Sequence, residues 1–162
     1  MRITTLCYME NAGRYLMMHR TKKQQDENAG MWIGIGGHLE ENESPLECIK
    51  REIREETGIE PEHLLFRGII TFLLPAWGNE LTFLYTADTQ CTHLPECNEG
   101  VLRWIRKEEV LSLPLWEGDK VFLNLLKETK APFDCLLSYN MDGELISVRV
   151  DGKTLPLPPE KK

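Results

Sequence analysis

Strand formers crowd the opening of the chain. Ile3 to Met9 is extended in pattern, Asn11-Ala12-Gly13 supplies turn chemistry, and Tyr15 to His19 resumes the extended pattern, so an opening hairpin is expected. Residues 20 to 30 are polar and aperiodic, which predicts a solvent loop. A short Trp32–Ile35 strand then runs into Gly36-Gly37.

At Ser44 the periodicity changes. Ser44 can cap, Pro45 suits the first helical position, and Glu47 three residues after the cap completes a capping box. Leu46, Ile49 and Ile53 follow as an apolar stripe, and Gly58 can close the helix, which is expected over residues 45 to 57. Leu64 to Leu74 and Glu80 to Ala87 are two further strands, linked through Pro75 to Asn79, and Val101 to Ile105 is strand-like. Lys107 to Leu111 predicts one helical turn. Trp116 to Glu128 predicts a long helix, with Val121, Phe122, Leu125 and Leu126 at helical spacing. Phe133 to Tyr139 and Glu144 to Val150 form a terminal hairpin around Asp142-Gly143, and residues 155 to 162 are expected to fray. No internal repeat or linker divides the chain, so residues 1–162 are expected to form a single domain.

Composition narrows the function. The chain has 162 residues, 41% hydrophobic and 28% charged, within the ordinary globular range. Nineteen Lys and Arg against 26 Asp and Glu give a net charge of −7, which disfavours attachment to a nucleic-acid polymer or an anionic membrane. No apolar run approaches the ~18 residues of a membrane helix, and the N-terminus lacks the features of a signal peptide, so a cytoplasmic protein is expected. Five cysteines without a C-x-x-C pair suggest neither a disulfide framework nor a zinc knuckle. His19, His38, His63 and His93 have no mutual metal spacing.

The chemistry concentrates in one segment: Gly37, five residues, Glu43, seven residues, then Arg51-Glu52-Ile53-Arg54-Glu55-Glu56-Thr57-Gly58-Ile59. On a helix Glu52, Glu55 and Glu56 fall at i, i+3 and i+4, so three carboxylates share one face at a cost of a few tenths of a kcal/mol per like-charge pair. A bound cation reverses that sign. Oxygen ligands suit Mg²⁺ or Mn²⁺, ions that bridge to substrate phosphates, and the implied reaction is metal-assisted attack of water at phosphorus. The competing interpretation of the glutamates alone is an acidic solvated helix face. Seven fixed residue types at ~7% each arise by chance on the order of 10⁻⁸ per starting position, which removes accident as the origin of the whole pattern.

In these residues the sequence resembles the Nudix hydrolases, whose signature box it matches throughout, including Ile53 and Ile59. The resemblance implies an α/β fold in which a mixed β-sheet is sandwiched between helices, with a loop-helix-loop catalytic box. It also implies hydrolysis of nucleoside diphosphates linked to another moiety. By the same resemblance Glu52, Glu55 and Glu56 bind divalent metal, and the carbonyl of Gly36 completes the site. Glu52 or Glu55 activates water, and Glu43 and Arg51 tie the loop to the helix. Gly37 and Gly58 fit a need for unhindered backbone.

Over roughly residues 3 to 150 the chain is similar to the MutT-like branch that removes oxidised purine nucleotides from the precursor pool. That similarity makes Glu99 a further metal ligand, with Glu96 the competing choice. It makes Trp116 and Asp119 the base pocket, Trp116 by stacking and Asp119 by addressing the polar edge. A tryptophan opening an amphipathic helix is otherwise a core residue. Arg20 is a candidate phosphate contact or a solvated arginine. Two positions depart from the branch: Ile33 stands where a base-reading asparagine can follow the tryptophan, and Gly118 stands where an acid can occur. The expectation is a cytoplasmic Mg²⁺-dependent 8-oxo-dGTP diphosphatase, monomeric or homodimeric, in which Mn²⁺ can substitute. Rival expectations are a Nudix hydrolase of ADP-ribose or a dinucleoside polyphosphate, and a nucleotide-sensing domain without turnover.

Overall fold

The computed structural model describes residues 1–21 and 27–159. Part of the polar loop and the last three residues of the tail therefore lie outside the described residues. β1 (Arg2–Asn11) and β2 (Arg14–His19) form the expected hairpin, with Glu10 opposite Tyr15 and Asn11 opposite Arg14. The single strand expected over 32–35 is instead two. β3 (Trp32–Ile33) pairs with β2, whereas β4 (Ile35–His38) pairs with β1 along Thr4 to Cys7. The reason lies in β2, which leaves β1 after two residue pairs and runs instead along the later strand Val101–Arg106, so that β4 takes up the β1 edge it vacates.

α1 (Pro45–Thr57) has the boundaries read from its capping residues. Ser44 Oγ accepts the Glu47 N–H at 3.1 Å, and Gly58 closes the helix at φ 70°, donating its N–H to the Arg54 carbonyl. The apolar stripe needs one correction. Leu46 is exposed, because it lies in the first turn before the helix meets the sheet, while Cys48, Ile49, Ile53 and Thr57 are buried. Full burial of each isoleucine contributes about 1.5–3 kcal/mol.

The chain continues through β5 (Glu62–Leu73), β6 (Glu80–Asp88), β7 (Val101–Arg106), α2 (Lys107–Val110), α3 (Glu117–Glu128), β8 (Phe133–Tyr139) and β9 (Leu145–Val150). The expected fraying from residue 155 is corrected at its start. β10 (Lys153–Leu155) pairs back on β9, placing Leu155 opposite Val148.

The strands form one mixed sheet in the order β10-β9-β8-β5-β6-β1-β2-β3, with β4 on β1 and β7 on β2. The β1–β6 and β5–β8 pairs are parallel and the remaining pairs antiparallel. Alternate side chains leave a strand on opposite faces, and here both faces are covered. Tyr8 and Met17 pack with Phe122, Leu123 and Leu126 of α3. Their neighbours Cys7, Met9, Leu16 and Met18 pack with Ile49 and Ile53 of α1. This explains why consecutive residues of β1 are all buried. The sheet is thus sandwiched between α1 and α3, an α/β arrangement that leaves the β1–β4 region open to the site between them.

Candidate active site

Arg51 organises the segment between β4 and α1. Its guanidinium donates to both carboxylate oxygens of Glu43, at 2.7 and 3.0 Å, to Glu52 at 2.9 Å, to Glu55 at 3.2 Å and to the His38 carbonyl at 3.2 Å. Glu43 also accepts the Glu40 backbone N–H at 2.8 Å. The Arg51 bonds, followed by that backbone bond, hold the Glu43 carboxyl down at about 2. Glu43 in turn raises the Arg51 pKa, so the pair stays charged. This fork ties the loop to the helix.

The three helix glutamates occupy different environments. Glu55 is exposed, its side chain 61% accessible, and pairs with Arg51 at 3.2 Å. Glu52 is largely shielded and rests against Gly37, where an added Cβ would stand 2.5 Å from its Oε1. Glu56 points inward, and its Oε2 is buried without a hydrogen-bond partner among the described residues. Burial, then the charges of Glu52 and Glu99, push the Glu56 carboxyl up to about 9. Burial likewise raises Glu52.

Glu99 arrives from the β6–β7 connection and pairs with Arg20 at 2.9 Å, whereas Glu96 is exposed. Both Arg20 and Glu99 line the cavity that Glu52, Gly36 and Gly37 also face. Gly36 lies in β4 opposite Leu6. Among the described residues no three His, Cys, Asp or Glu side chains stand at ligating distance of one point. Arg51 holds Glu52 and Glu55 while Arg20 holds Glu99, so arginines balance the acids here. The orphaned Glu56 oxygen and the mutual repulsion of Glu52, Glu56 and Glu99 fit an all-oxygen site for a hard divalent cation.

The cavity, about 650 Å³, runs from these acids to an aromatic end. Trp116 precedes α3 and is half-buried at the cavity wall. Its indole N–H donates to Asn28 Oδ1 at 2.8 Å, and its ring meets Trp77 and Tyr139 edge to face at 5.4 and 5.5 Å. Asp119, in the first turn of α3, lines the same end and is 5% exposed. Burial, then the Glu80 charge, lifts its carboxyl to about 8, and its side chain has no hydrogen-bond partner among the described residues. Ile33 lines the wall as an apolar group.

Several lining residues escape sequence reasoning: Trp77, Glu80, Phe72 and Tyr139. Phe72 and Tyr139 read as ordinary strand core. Trp77 carried the one usable signal, a large aromatic inside a turn-forming connection. His19, without metal spacing, stacks on Trp32 at 4.6 Å with an interplanar angle of 4°.

The profile of the NUDIX domain matches residues 1–126. The chain belongs to the NUDIX domain family, and as a Nudix hydrolase it acts on pyrophosphate bonds of nucleotide derivatives. It is 26% identical over 152 residues to the uncharacterised Nudix hydrolase YvcI of Bacillus subtilis, covering 91% of this chain and 92% of that one. It is 28% identical to the phosphatase NudJ of Escherichia coli K12, over 67% of this chain and 71% of NudJ. The crystal structure of a Mutator MutT protein from Bacillus halodurans superposes with a TM-score of 0.82 at 28% identity, covering 93% of this chain and 98% of its own. Nudix hydrolases generally use a divalent metal, and the fold binds small nucleotide substrates. No helix among the described residues is long and apolar enough to cross a membrane.

Proposed function

We propose that this Nudix hydrolase is a cytoplasmic, Mg²⁺-dependent nucleoside triphosphate pyrophosphohydrolase. Its favoured substrate is 8-oxo-dGTP, which it converts with water to 8-oxo-dGMP and pyrophosphate. The observation that carries this proposal is the continuity of one cavity from the carboxylates Glu52 and Glu99 to the aromatic end at Trp116 and Asp119. A triphosphate laid along it puts its phosphates beside the acids and its base among the rings.

In this proposal Glu52, Glu56 and Glu99, with the Gly36 carbonyl and the more exposed Glu55, hold the divalent cation. When bound, that cation neutralises phosphate charge and lowers the pKa of a water molecule. Glu52 or Glu55 takes the proton of the attacking water, and Arg51 holds both carboxylates in place from the Glu43 anchor. Arg20 exchanges part of its Glu99 pairing for a phosphate oxygen. The bare backbone of Gly37 leaves room for Glu52 beside the phosphates. Trp116 stacks on the purine and Asp119 accepts from its polar edge.

The test is kcat/KM for 8-oxo-dGTP, dGTP, dCTP and ADP-ribose, with products resolved by chromatography. Trp116→Ala should weaken dGTP and its 8-oxo form alike. Asp119→Ala should narrow the gap between purine and pyrimidine triphosphates by about 10- to 100-fold. A wild-type preference for ADP-ribose over all three triphosphates overturns the substrate assignment.

A further inference from the structure

Arg67, in the middle of β5, is 4% exposed. Its guanidinium donates to the Thr86 hydroxyl at 3.1 Å, to the Leu126 carbonyl at 3.1 Å and to the Thr129 carbonyl, while its Nε has no hydrogen-bond partner among the described residues. No carboxylate among them pairs with it. Arg2, Arg20, Arg51, Lys107 and Lys120, the other arginines and lysines among the described residues that are not exposed, each hold a carboxylate at 2.7–2.9 Å. A buried cation without an opposite charge is costly, and the carbonyl end of α3 offsets only part of that cost.

Arg67 lines a second cavity, about 420 Å³ in volume, that shares no lining residue with the active cavity. Thr4 and Thr82 line the one where Glu10 and Asp88, further along the same strands, line the other. Four cations, Arg67, Lys107, Lys127 and Lys130, stand here against the two carboxylates Glu10 and Asp88, an excess of two positive charges on a chain whose net charge is −7. Glu10 is taken by Lys107 at 2.9 Å and Asp88 by His63 at 3.2 Å. Neither answers Arg67. Lys127 and Lys130 are exposed and have no carboxylate partner among the described residues. Tyr15 and Leu65 supply apolar wall beside them.

We propose that this cavity is a second, non-catalytic site for a phosphate monoester, whose phosphoryl group bridges Arg67 to Lys127 and Lys130 while its organic part lies against Tyr15 and Leu65. A phosphoryl group carries about −1.5 to −2 at pH 7, which matches the excess charge of the site. A carboxylate ligand brings one charge and leaves half of that excess unanswered. The volume lies within the range of small-molecule sites, roughly 300–1,000 Å³. Occupancy of this site does not depend on which nucleotide the active cavity takes.

The test is titration of the full chain, without divalent metal, with phenyl phosphate, benzoate and inorganic phosphate, followed by amide ¹H–¹⁵N correlation spectra. Phenyl phosphate should shift the amides of Arg67, Thr86 and Lys127 saturably and bind at least about tenfold more tightly than benzoate, which has the same ring and a single charge. Replacing both exposed lysines, Lys127→Glu with Lys130→Glu, should weaken phenyl phosphate at least about tenfold and leave kcat/KM within about twofold of wild type. Shifts confined to the active cavity, benzoate binding as tightly as phenyl phosphate, or unchanged affinity in the double variant overturns the proposal. Inorganic phosphate binding as tightly as phenyl phosphate gives the site to the free anion and overturns the monoester assignment.

Discussion

The Glu52 carboxylate occupies the space a side chain on Gly37 would need, with Oε1 only 2.5 Å from the position of an added Cβ. Strand β4 and helix α1 are thereby fitted to each other at the point where the cavity begins. Gly37→Ala should displace Glu52 toward the cavity and lower kcat more than it raises KM, because the substrate contacts remain. Steady-state kinetics in saturating Mg²⁺ separate the two constants.

Glu56 carries a buried oxygen that no described residue hydrogen-bonds, and the repulsion of two neighbouring acids. Glu56→Gln keeps the shape and removes the group that a cation would ionise. It should lower turnover at least about 100-fold while leaving the thermal midpoint of the cation-free chain nearly unchanged, since burial already holds that carboxyl neutral there. Chelation of divalent cations should abolish wild-type activity. Near-wild-type turnover of the Gln variant, or turnover that survives the chelator, would sink the metal role.

Glu99 faces the cavity and pairs with Arg20, whereas Glu96 is exposed three residues earlier. Glu99→Ala should cost about 10- to 100-fold in kcat/KM, and Glu96→Ala less than about twofold. Alanine at each position, assayed side by side, distinguishes them. A larger loss at Glu96 would show that the wrong acid has been assigned.

Arg51 holds Glu43, Glu52 and Glu55 at once, while Arg54, itself exposed, pairs with exposed Glu60. Arg51→Ala strips the shielded acids of their shared cation and should lower the thermal midpoint by about 5 °C or more, against little change in Arg54→Ala. Arg51→Lys should restore little, because a single ammonium cannot reproduce the two-pronged contact with Glu43. Melting curves of the three variants provide the comparison.

The buried Asp119 carboxyl holds its proton up to about pH 8 in the folded chain, against an ordinary value of 3.8. Between those limits the native state binds more protons than the unfolded one, so stability falls as pH rises, by up to about 1.4 kcal/mol per unit for this one group. Above about pH 8 the loss is complete. Asp119→Asn should flatten the decline by that amount. Unfolding measured from pH 5 to 9 tests it, and an unchanged slope would count against a buried, protonated Asp119.

Local signals were legible in the sequence. Ser44, Pro45, Glu47 and Gly58 define α1 because capping and the left-handed closing residue are satisfied within one turn of each end. The box spacing, Gly37 through Ile59, identified the family because one helix face and one tight loop carry it. The division of labour among the glutamates was not legible. Helical spacing puts Glu52, Glu55 and Glu56 on one face, but only the approach of β4 and the β6–β7 connection exposes Glu55 and buries Glu56. Nor could periodicity separate Tyr139 from core. Its place beneath Trp116 depends on β8 pairing in parallel with β5, a contact between residues some sixty-five positions apart in a register such as Gly68 opposite Phe133. The same holds for the 32–38 segment, split between two partners because β2 leaves an edge of β1 open. Backbone conformation and capping are decided by neighbours in sequence, whereas burial, charge environment and which strand edge is free are decided by neighbours in space.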